Sequence, residues 1–273
     1  METTTVLIPY VVETALMLTV AMCLILGVVA IIAWKMQAEG KLSHFFGGMF
    51  MYAVFTACMK SILDVFMAPL VVGSFWGYGI YEGLMWTVLQ TLGIYFGFKY
   101  IHKDHSDRRL GVSFGLGFSW MQILLSAGVS SAMYYAFAIS VNESGVAEMT
   151  AGFSEADLAN FNDTLAYMQS LTLMDCVWSL TEVFLRMGLL TAVSVILLAA
   201  VRGEDTRKNL AVAMCLQLLP LIPVGWHQTG TGMPLWITEI IMAMAMACAV
   251  VYAKRLYDEM PVPRRTSRRT KYL

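Results

Sequence analysis

Charged side chains are scarce in this sequence. Of its 273 residues, 14% are charged and 58% are hydrophobic, whereas soluble globular domains are roughly 25% charged and roughly 45–50% apolar. This composition excludes a water-soluble fold. The 18 basic and 19 acidic residues give a formal charge of -1, which argues against a nucleic-acid partner because nucleic-acid-binding proteins carry a strongly basic face.

Cysteine and histidine are too few and too scattered for a disulfide framework or a clear metal site. The five cysteines lie in apolar runs without a Cys-x-x-Cys pair, so we expect them to be buried apolar residues. None of the four histidines is predicted at membrane depth opposite a glutamate. His102 and His105, beside Asp104 and Asp107, have ligand-like spacing, but a solvated loop is the favoured interpretation. No metal or other cofactor is expected.

Known catalytic motifs are absent as well. The sequence contains no Gly-rich phosphate loop, no nucleophile elbow and no His-Glu-x-x-His pair.

Long apolar runs dominate what is present. A membrane-spanning helix needs about 20 predominantly apolar residues. Seven stretches qualify, at roughly 7–34, 44–72, 76–101, 110–140, 170–201, 209–226 and 234–253. The first run has no basic segment before it, so a spanning helix is predicted there rather than a cleaved signal peptide. The sequence therefore predicts an all-α polytopic membrane helix bundle, with one transmembrane domain over 1–253 and a basic tail over 254–273.

The basic residues lie at alternate ends of these stretches, and this pattern predicts the orientation. Sixteen of the 18 lysines and arginines follow it, and the other two, Lys60 and Arg186, lie inside spans. The longest opposite loop, 141–169, is acidic. Because cytoplasmic loops are enriched in Lys and Arg, the N-terminus is predicted outside and the C-terminus in the cytoplasm. The tail, with Arg264, Arg265, Arg268, Arg269 and Lys271, is expected to lie near anionic lipid.

The acidic loop is predicted to contain a short helix. Its sequence 154–157, Ser-Glu-Ala-Asp, resembles a capping box, and Leu158, Phe161, Leu165 and Met168 follow at helical spacing. This helix is interpreted as a lid packed on the bundle, with a partner-binding surface as the alternative.

Ionisable side chains inside the spans are functional candidates, because their burial in a membrane is costly. Lys60 with Asp64, and Glu182 with Arg186, are each four residues apart and are predicted to pair on one helix face. Structural pairing is the favoured interpretation, and an ion or substrate path is the alternative. The other carboxylates lie near predicted outer ends and are expected to reach water: Glu13, Glu82, Asp175 and Glu239.

Three Gly-x-x-x-Gly motifs indicate where helices pack closely. They are Gly79/Gly83, Gly93/Gly97 and Gly111/Gly115, and each removes side-chain bulk from one helix face. The spans 76–101 and 110–140 are therefore predicted to form the centre of the bundle.

Several blocks follow one another in an order that resembles a known family. They cover 81–84, 90–100, 115–118, 127–140, 182–201 and 210–230. Over about residues 40 to 253 the chain resembles the YhfC family of bacterial membrane proteins, which is related to the CAAX-type glutamic intramembrane proteases. The resemblance implies a protease-like helix bundle in a bacterial plasma membrane.

The polar groups that this resemblance implies for a hydrolytic centre are replaced. Amide and hydroxyl side chains, Gln90 and Thr91, stand where the family has its paired glutamates, and an amide cannot accept a proton as a general base does. The seven positions, called here the degenerate-site positions, are Gln90, Thr91, Phe118, Gln122, Leu190, Gln217 and Leu221. No catalytic residue is therefore assigned.

These replacements predict a pseudoprotease, a membrane scaffold or binding protein that holds a lipid, a helix or another protein. Phe118 and Leu190 are expected to fill the former cavity, and Gln90 and Gln217 to hydrogen-bond across it. Two other functions stay open. One is an intramembrane peptidase with a rearranged site built from Glu82, Asp175, Glu182 or Glu239. The other is a small transporter or channel component that uses the charged residues of the two predicted pairs.

Overall fold

Helices account for all regular secondary structure in the part of the chain that can be described. A computed structural model of the protein describes residues 7–38, 41–71, 73–103, 107–228 and 233–260, and no strand occurs within these ranges. The helices are α1 (Tyr10–Ala38), α2 (Leu42–Met51), α3 (Met59–Val71), α4 (Phe75–Phe96), α5 (Arg109–Ile123), α6 (Val129–Ser144), α7 (Val146–Met149), α8 (Glu155–Ser170), α9 (Leu173–Val201), α10 (Thr206–Gln228) and α11 (Leu235–Glu259).

Three π-helical turns interrupt or extend these helices. Tyr52–Cys58 joins α2 to α3, Gly97–Ile101 extends α4, and Leu124–Gly128 joins α5 to α6. Single π-helical turns within α-helices are frequent at functional sites.

Six helical stretches of the described chain are long and apolar enough to cross a membrane, and this confirms an all-α polytopic membrane bundle. They are Tyr10–Met36, Leu42–Val71, Arg109–Ser144, Leu173–Val201, Thr206–His227 and Leu235–Glu259. The remaining predicted span, 76–101, is not among these six. It contains α4, on which the polar side chains of Glu82, Thr87, Gln90 and Thr91 are buried.

The two ends of the bundle differ in charge. At one end Asn142 Oδ1 accepts hydrogen bonds from the backbone N–H groups of Leu7 and Ile8, at 3.0 Å each, so the N-terminal segment lies beside the acidic loop 141–169. At the other end Arg108 donates to the Tyr257 carbonyl, at 3.0 Å. We call these the acidic end and the basic end.

Some sequence predictions fall on residues that the structure does not describe. Asp104, His105 and the five basic residues of the tail, Arg264, Arg265, Arg268, Arg269 and Lys271, lie outside the described residues.

Among the six candidate spans, Leu173–Val201 has the most buried apolar window, and its helix α9 packs against α4, α5, α10 and α11. Ile196, Leu197 and Leu198 are fully buried. A helix that is apolar all round belongs in the interior, and the end of α9 toward the basic end has this pattern. The spans 76–101 and 110–140, predicted to form the centre, both touch α9, and ten of the 15 residues of α5 are buried. The centre of the bundle therefore includes α9 in addition to these spans.

Glycine allows the closest helix crossings. A Cβ atom on Gly117 of α5 would lie 1.9 Å from the carbonyl oxygen of Phe45, and one on Gly48 of α2 would lie 2.1 Å from that of Phe114. Backbone therefore meets backbone where α2 crosses α5. The three Gly-x-x-x-Gly pairs also lie at close contacts: Gly79/Gly83 face α10, Gly93/Gly97 face Phe118 and Phe114, and Gly111/Gly115 face α9.

An amphipathic helix, α8, lies across the acidic end. Ser154 caps it by accepting a hydrogen bond from the Asp157 N–H, at 3.2 Å. Phe161 and Met168 are buried in one apolar cluster with residues of α1 and α6, and Leu165 packs against this cluster. The fourth position of the predicted apolar face, Leu158, is exposed instead.

Candidate functional site

A polar cavity of about 520 Å³ lies among α3, α4, α6 and α9, below α8. Its charged lining residues are Lys60, Glu82, Asp175, Glu182 and Arg186. Aromatic rings and hydroxyl groups line it as well, from Tyr78, Trp86, Tyr134, Tyr167, Ser126, Ser130, Ser131 and Ser179. Five of the eight intramembrane charges that the sequence singled out thus line one cavity.

Lys60 is the centre of a charged network on one wall. Its Nζ atom lies 2.6 Å from Asp64 Oδ2 and 3.0 Å from Glu82 Oε1. Glu82 Oε2 accepts a hydrogen bond from Trp86 Nε1, at 2.9 Å, and Asp64 Oδ1 accepts one from the Tyr81 hydroxyl, at 2.7 Å. The predicted pair of Lys60 and Asp64 is therefore confirmed, with a second carboxylate added from α4.

The local helix geometry helps to aim Lys60 at α4. The π-helical turn Tyr52–Cys58 ends two residues before Lys60, and α3 packs chiefly against α4 and this turn. An α-helix advances about 100° per residue, from 3.6 residues per turn. Compared with the same residues in an uninterrupted α-helix, a π-helical turn therefore changes the direction of every later side chain by about that angle.

A second ion pair, between Arg186 and Glu182 of α9, lies on the opposite wall. It confirms the prediction from the spacing of four residues. Arg186 Nε is buried and has no hydrogen-bond partner among the described residues.

The expectation that four further carboxylates reach water is wrong for two of them. Glu82 is 6% exposed because it is paired with Lys60, and Glu239 is 2% exposed because α11 packs this face against α9 and α10. Within the described chain neither oxygen of Glu239 has a hydrogen-bond partner. Glu239 does lie in electrostatic range of Glu182 and Arg186.

The remaining two carboxylates have local structural partners at the acidic end. Asp175 forms a capping box with Thr172, whose N–H and hydroxyl donate to Asp175 Oδ2 at 2.8 and 2.7 Å. Glu13 accepts a hydrogen bond from Asn142 Nδ2. Both carboxylates are partly exposed, so a polar end of the bundle is a sufficient reason for their presence.

The degenerate-site positions lie around a second, much smaller cavity. This cavity has a volume of about 10 Å³, and its lining includes Gln90, Gln122, Leu190, Gln217 and Leu221. Arg186 and Leu221 line both cavities. Five of the seven positions therefore converge at the inner end of the polar cavity.

The other two degenerate-site positions pack beside this group. Thr91 Oγ1 accepts a hydrogen bond from Gln217 Nε2, at 2.9 Å. Phe118 is fully buried, with its ring 5.2 Å from that of Tyr52, and a Cβ atom on Gly93 would lie 3.2 Å from the Phe118 ring. Phe118 and Leu190 belong to one apolar cluster.

The expected hydrogen bond between Gln90 and Gln217 is wrong. Gln217 Nε2 donates to Thr91 and to the Ala213 carbonyl, while Gln217 Oε1 and Gln90 Nε2 lack partners among the described residues. The reason is rotational, because Thr91 lies about 100° further round α4 than Gln90.

Sequence reasoning missed the cross-helix partner Glu82 and the row of hydroxyl groups. Ser126, Ser130 and Tyr134 are spaced by four residues in an otherwise apolar span. Such a polar stripe indicates a helix face that lines water or polar groups, so this signal was present in the sequence.

The side chains that the structure describes do not form a metal site. Within the described ranges, no three His, Cys, Asp or Glu residues are placed to hold one metal ion. The small cavity presents amides, hydrocarbon, the Met242 thioether and the Arg186 guanidinium, whereas Zn²⁺ sites in proteins are built from imidazole, thiolate and carboxylate groups.

Comparison with known proteins gives two matches. A family model described as YhfC intramembrane metalloprotease matches residues 22–242. The uncharacterized membrane protein YhfC of Bacillus subtilis (strain 168) is 25% identical over 256 residues, which cover 89% of this chain and 96% of the relative. No solved structure matches.

Proposed function

This chain belongs to the YhfC family, and we propose that it is a non-catalytic binding protein of the membrane that keeps a protease-like helix bundle without a hydrolytic centre. In this proposal the acidic end faces outward across a bacterial plasma membrane, because the basic end follows the positive-inside rule.

The metal that the family description implies does not fit the residues present. A catalytic zinc site needs three protein ligands and an open position for water. At the degenerate-site positions this chain has three glutamines, a threonine, two leucines and a phenylalanine.

The observation that carries the proposal is the convergence of five of these seven positions on one cavity of about 10 Å³. A volume of this order holds about one water molecule. A peptide bond and an attacking water do not fit in it together. Gln90, Gln122 and Gln217 offer no group that accepts a proton near neutral pH.

Binding is assigned instead to the adjoining polar cavity. Its volume of about 520 Å³ lies in the range of roughly 300–1,000 Å³ that is typical of small-molecule sites. Charged, hydroxyl and aromatic groups surround it, so it offers recognition without requiring a reaction. The helix α8 covers the acidic end and leaves Tyr167 and Asp175 on the cavity lining.

One observation favours a second function, a carboxylate-based hydrolase. Glu239 is buried without a hydrogen-bond partner in the described chain and lies in electrostatic range of Glu182. Two nearby carboxyl groups that share one proton can catalyse hydrolysis without histidine.

A cleavage assay separates the two functions. The purified protein in lipid nanodiscs is incubated with quenched fluorescent peptides and with prenylated peptides, and its metal content is measured by mass spectrometry. We expect cleavage at the rate without protein and no stoichiometric metal. Turnover that is lost in Glu182→Gln and Glu239→Gln, but kept in the exposed control Glu259→Gln, would establish the hydrolase instead.

A second measurement tests binding itself. The protein is purified from native membranes, and the bound small molecules and lipids are identified by mass spectrometry in wild type and in Glu82→Gln. We expect a compound that is enriched with wild type and depleted with the variant. Recovery of the chain alone from both would contradict the proposal.

A further inference from the structure

We propose that the polar cavity binds a small organic cation, an amine or ammonium compound, with its nitrogen between the carboxylates of α4 and α9. This inference rests on the proposed binding function and names the class of ligand.

The charge balance of the cavity carries the first step. Lys60 is shared by two carboxylates, those of Asp64 and Glu82, so this wall keeps one negative charge in excess. On the other wall Arg186 is matched by Glu182. An uncompensated charge in a site of low dielectric is costly, and a bound cation removes this cost.

The mouth of the cavity adds to the same balance. Asp175 accepts hydrogen bonds from the Thr172 N–H and hydroxyl, and these neutral donors leave its negative charge in place. A cation that approaches from the acidic end meets this carboxylate first. The acidic loop 141–169 adds further negative charge at this end and attracts cations to it.

The aromatic lining favours an organic cation over an inorganic one. The rings of Tyr134 and Tyr167 lie 5.6 Å apart, centroid to centroid, at the mouth. Deeper inside, Trp86 lines the cavity and its ring already lies 5.3 Å from the Lys60 ammonium. Ring faces attract alkylammonium groups through cation–π contacts and also bury their carbon atoms. A small hydrated metal ion would make no apolar contact with most of these ring surfaces.

Three probes of one shape and different charge test the proposal. They are cyclohexylammonium, cyclohexanol and cyclohexanecarboxylate, titrated at pH 7 against the purified protein in phosphatidylglycerol nanodiscs. Binding is measured by calorimetry and by the shift in the thermal unfolding midpoint. We expect the ammonium compound to bind at least about tenfold more tightly than the other two. Equal affinities, or tighter binding of the carboxylate, would overturn the proposal.

Variants test which carboxylates act. Glu82→Gln is expected to weaken binding of cyclohexylammonium by about tenfold or more. Because this variant could fold poorly, Asp175→Asn serves as a second one, since its amide oxygen can still cap α9. Glu259→Gln changes an exposed carboxylate far from the cavity and should leave the affinity unchanged. Unchanged affinity in Asp175→Asn and in folded Glu82→Gln would refute the assignment.

The source of the amine is distinguished by lipid composition. Phosphatidylethanolamine carries a primary ammonium group, so nanodiscs of this lipid should suppress binding of cyclohexylammonium if the headgroup is the ligand. Unchanged binding indicates a soluble amine, and both results keep the cation class. Peptide cleavage would contradict the proposed non-catalytic function but not the binding of an amine. Absence of amine binding alone would contradict this inference but not the proposed non-catalytic function.

Discussion

Removal of the Lys60 ammonium is expected to be among the most destabilising single changes in the bundle. In Lys60→Met the carboxylates of Asp64 and Glu82 lose their shared cation, and the side chain of Glu82 is only 8% exposed. Breaking a buried ion pair from one side costs about 3–5 kcal/mol, because the remaining charge stays buried without compensation. We therefore expect a loss of about 3–5 kcal/mol in the free energy of unfolding.

The matched control is the exposed pair of Arg255 and Glu259, which has the same spacing of four residues. Their side chains are 77% and 58% exposed, and exposed pairs of this kind contribute about 0.3–0.5 kcal/mol. Arg255→Met should therefore change stability by less than about 1 kcal/mol. The double variant Lys60→Met/Glu82→Gln also removes the more deeply buried carboxylate and leaves only the partly exposed Asp64 without a cation, so it should recover part of the loss.

The assay is unfolding of the detergent-solubilised protein by sodium dodecyl sulfate, followed by tryptophan fluorescence. The two pairs are compared in one detergent, and the double variant closes a mutant cycle for Lys60 and Glu82. If Lys60→Met cost no more than Arg255→Met, the network would be solvated and the reasoning would fail.

Three further predictions follow from close contacts. Gly117→Ala should destabilise the protein by about 1–3 kcal/mol or more in the same unfolding assay, because the added methyl group meets a backbone carbonyl of α2, whereas Gly128→Ala meets nothing closer than 3.5 Å and should be neutral or stabilising. Asn142→Ala should expose the N-terminal segment to faster hydrogen exchange, because its side chain holds that segment, whereas the exposed Asn162→Ala should not. Gln217→Leu should cost about 1 kcal/mol or less in thermal unfolding, because only one of its amide atoms has a partner.

Each of these predictions has a contrary result. Equal effects of the two glycine variants would mean that α2 and α5 do not touch backbone to backbone. Protection of the N-terminal segment in Asn142→Ala would show that apolar contacts alone hold it. A loss of several kcal/mol in Gln217→Leu would indicate a polar network that the amide completes.

Local patterns in the sequence predicted the helices and the charge pairs along them. Runs of about 20 apolar residues gave the spans, and spacings of four gave the Lys60–Asp64 and Glu182–Arg186 pairs. These features depend only on the geometry of a single helix. Even the convergence of the degenerate-site positions was expected, although only through the resemblance to a family.

Contacts between helices were not predicted in the same way. Glu82 of α4 pairs with Lys60 of the neighbouring α3, and Gln217 donates a hydrogen bond to Thr91 instead of Gln90. Both outcomes depend on how far each helix is rotated about its axis. A hydropathy pattern does not determine this rotation closely enough to say which of two neighbouring side chains makes the contact. The central position of α9 was missed for a related reason, because lipid and protein interior favour the same apolar residues.

The π-helical turn before α3 has a consequence for how this bundle changes over time. If this turn relaxed to ordinary α geometry with all residues of Tyr52–Cys58 kept, the ammonium of Lys60 would swing by about 100° away from its carboxylates. Loss of one residue together with that relaxation would cancel the rotation. Loss of one residue from this segment can therefore be absorbed while Lys60 keeps its direction, whereas the same loss from an ordinary α-helix would turn every later side chain by about 100°. The turn thus absorbs a change in the number of residues, and sequence comparisons that count only substitutions would overlook this role.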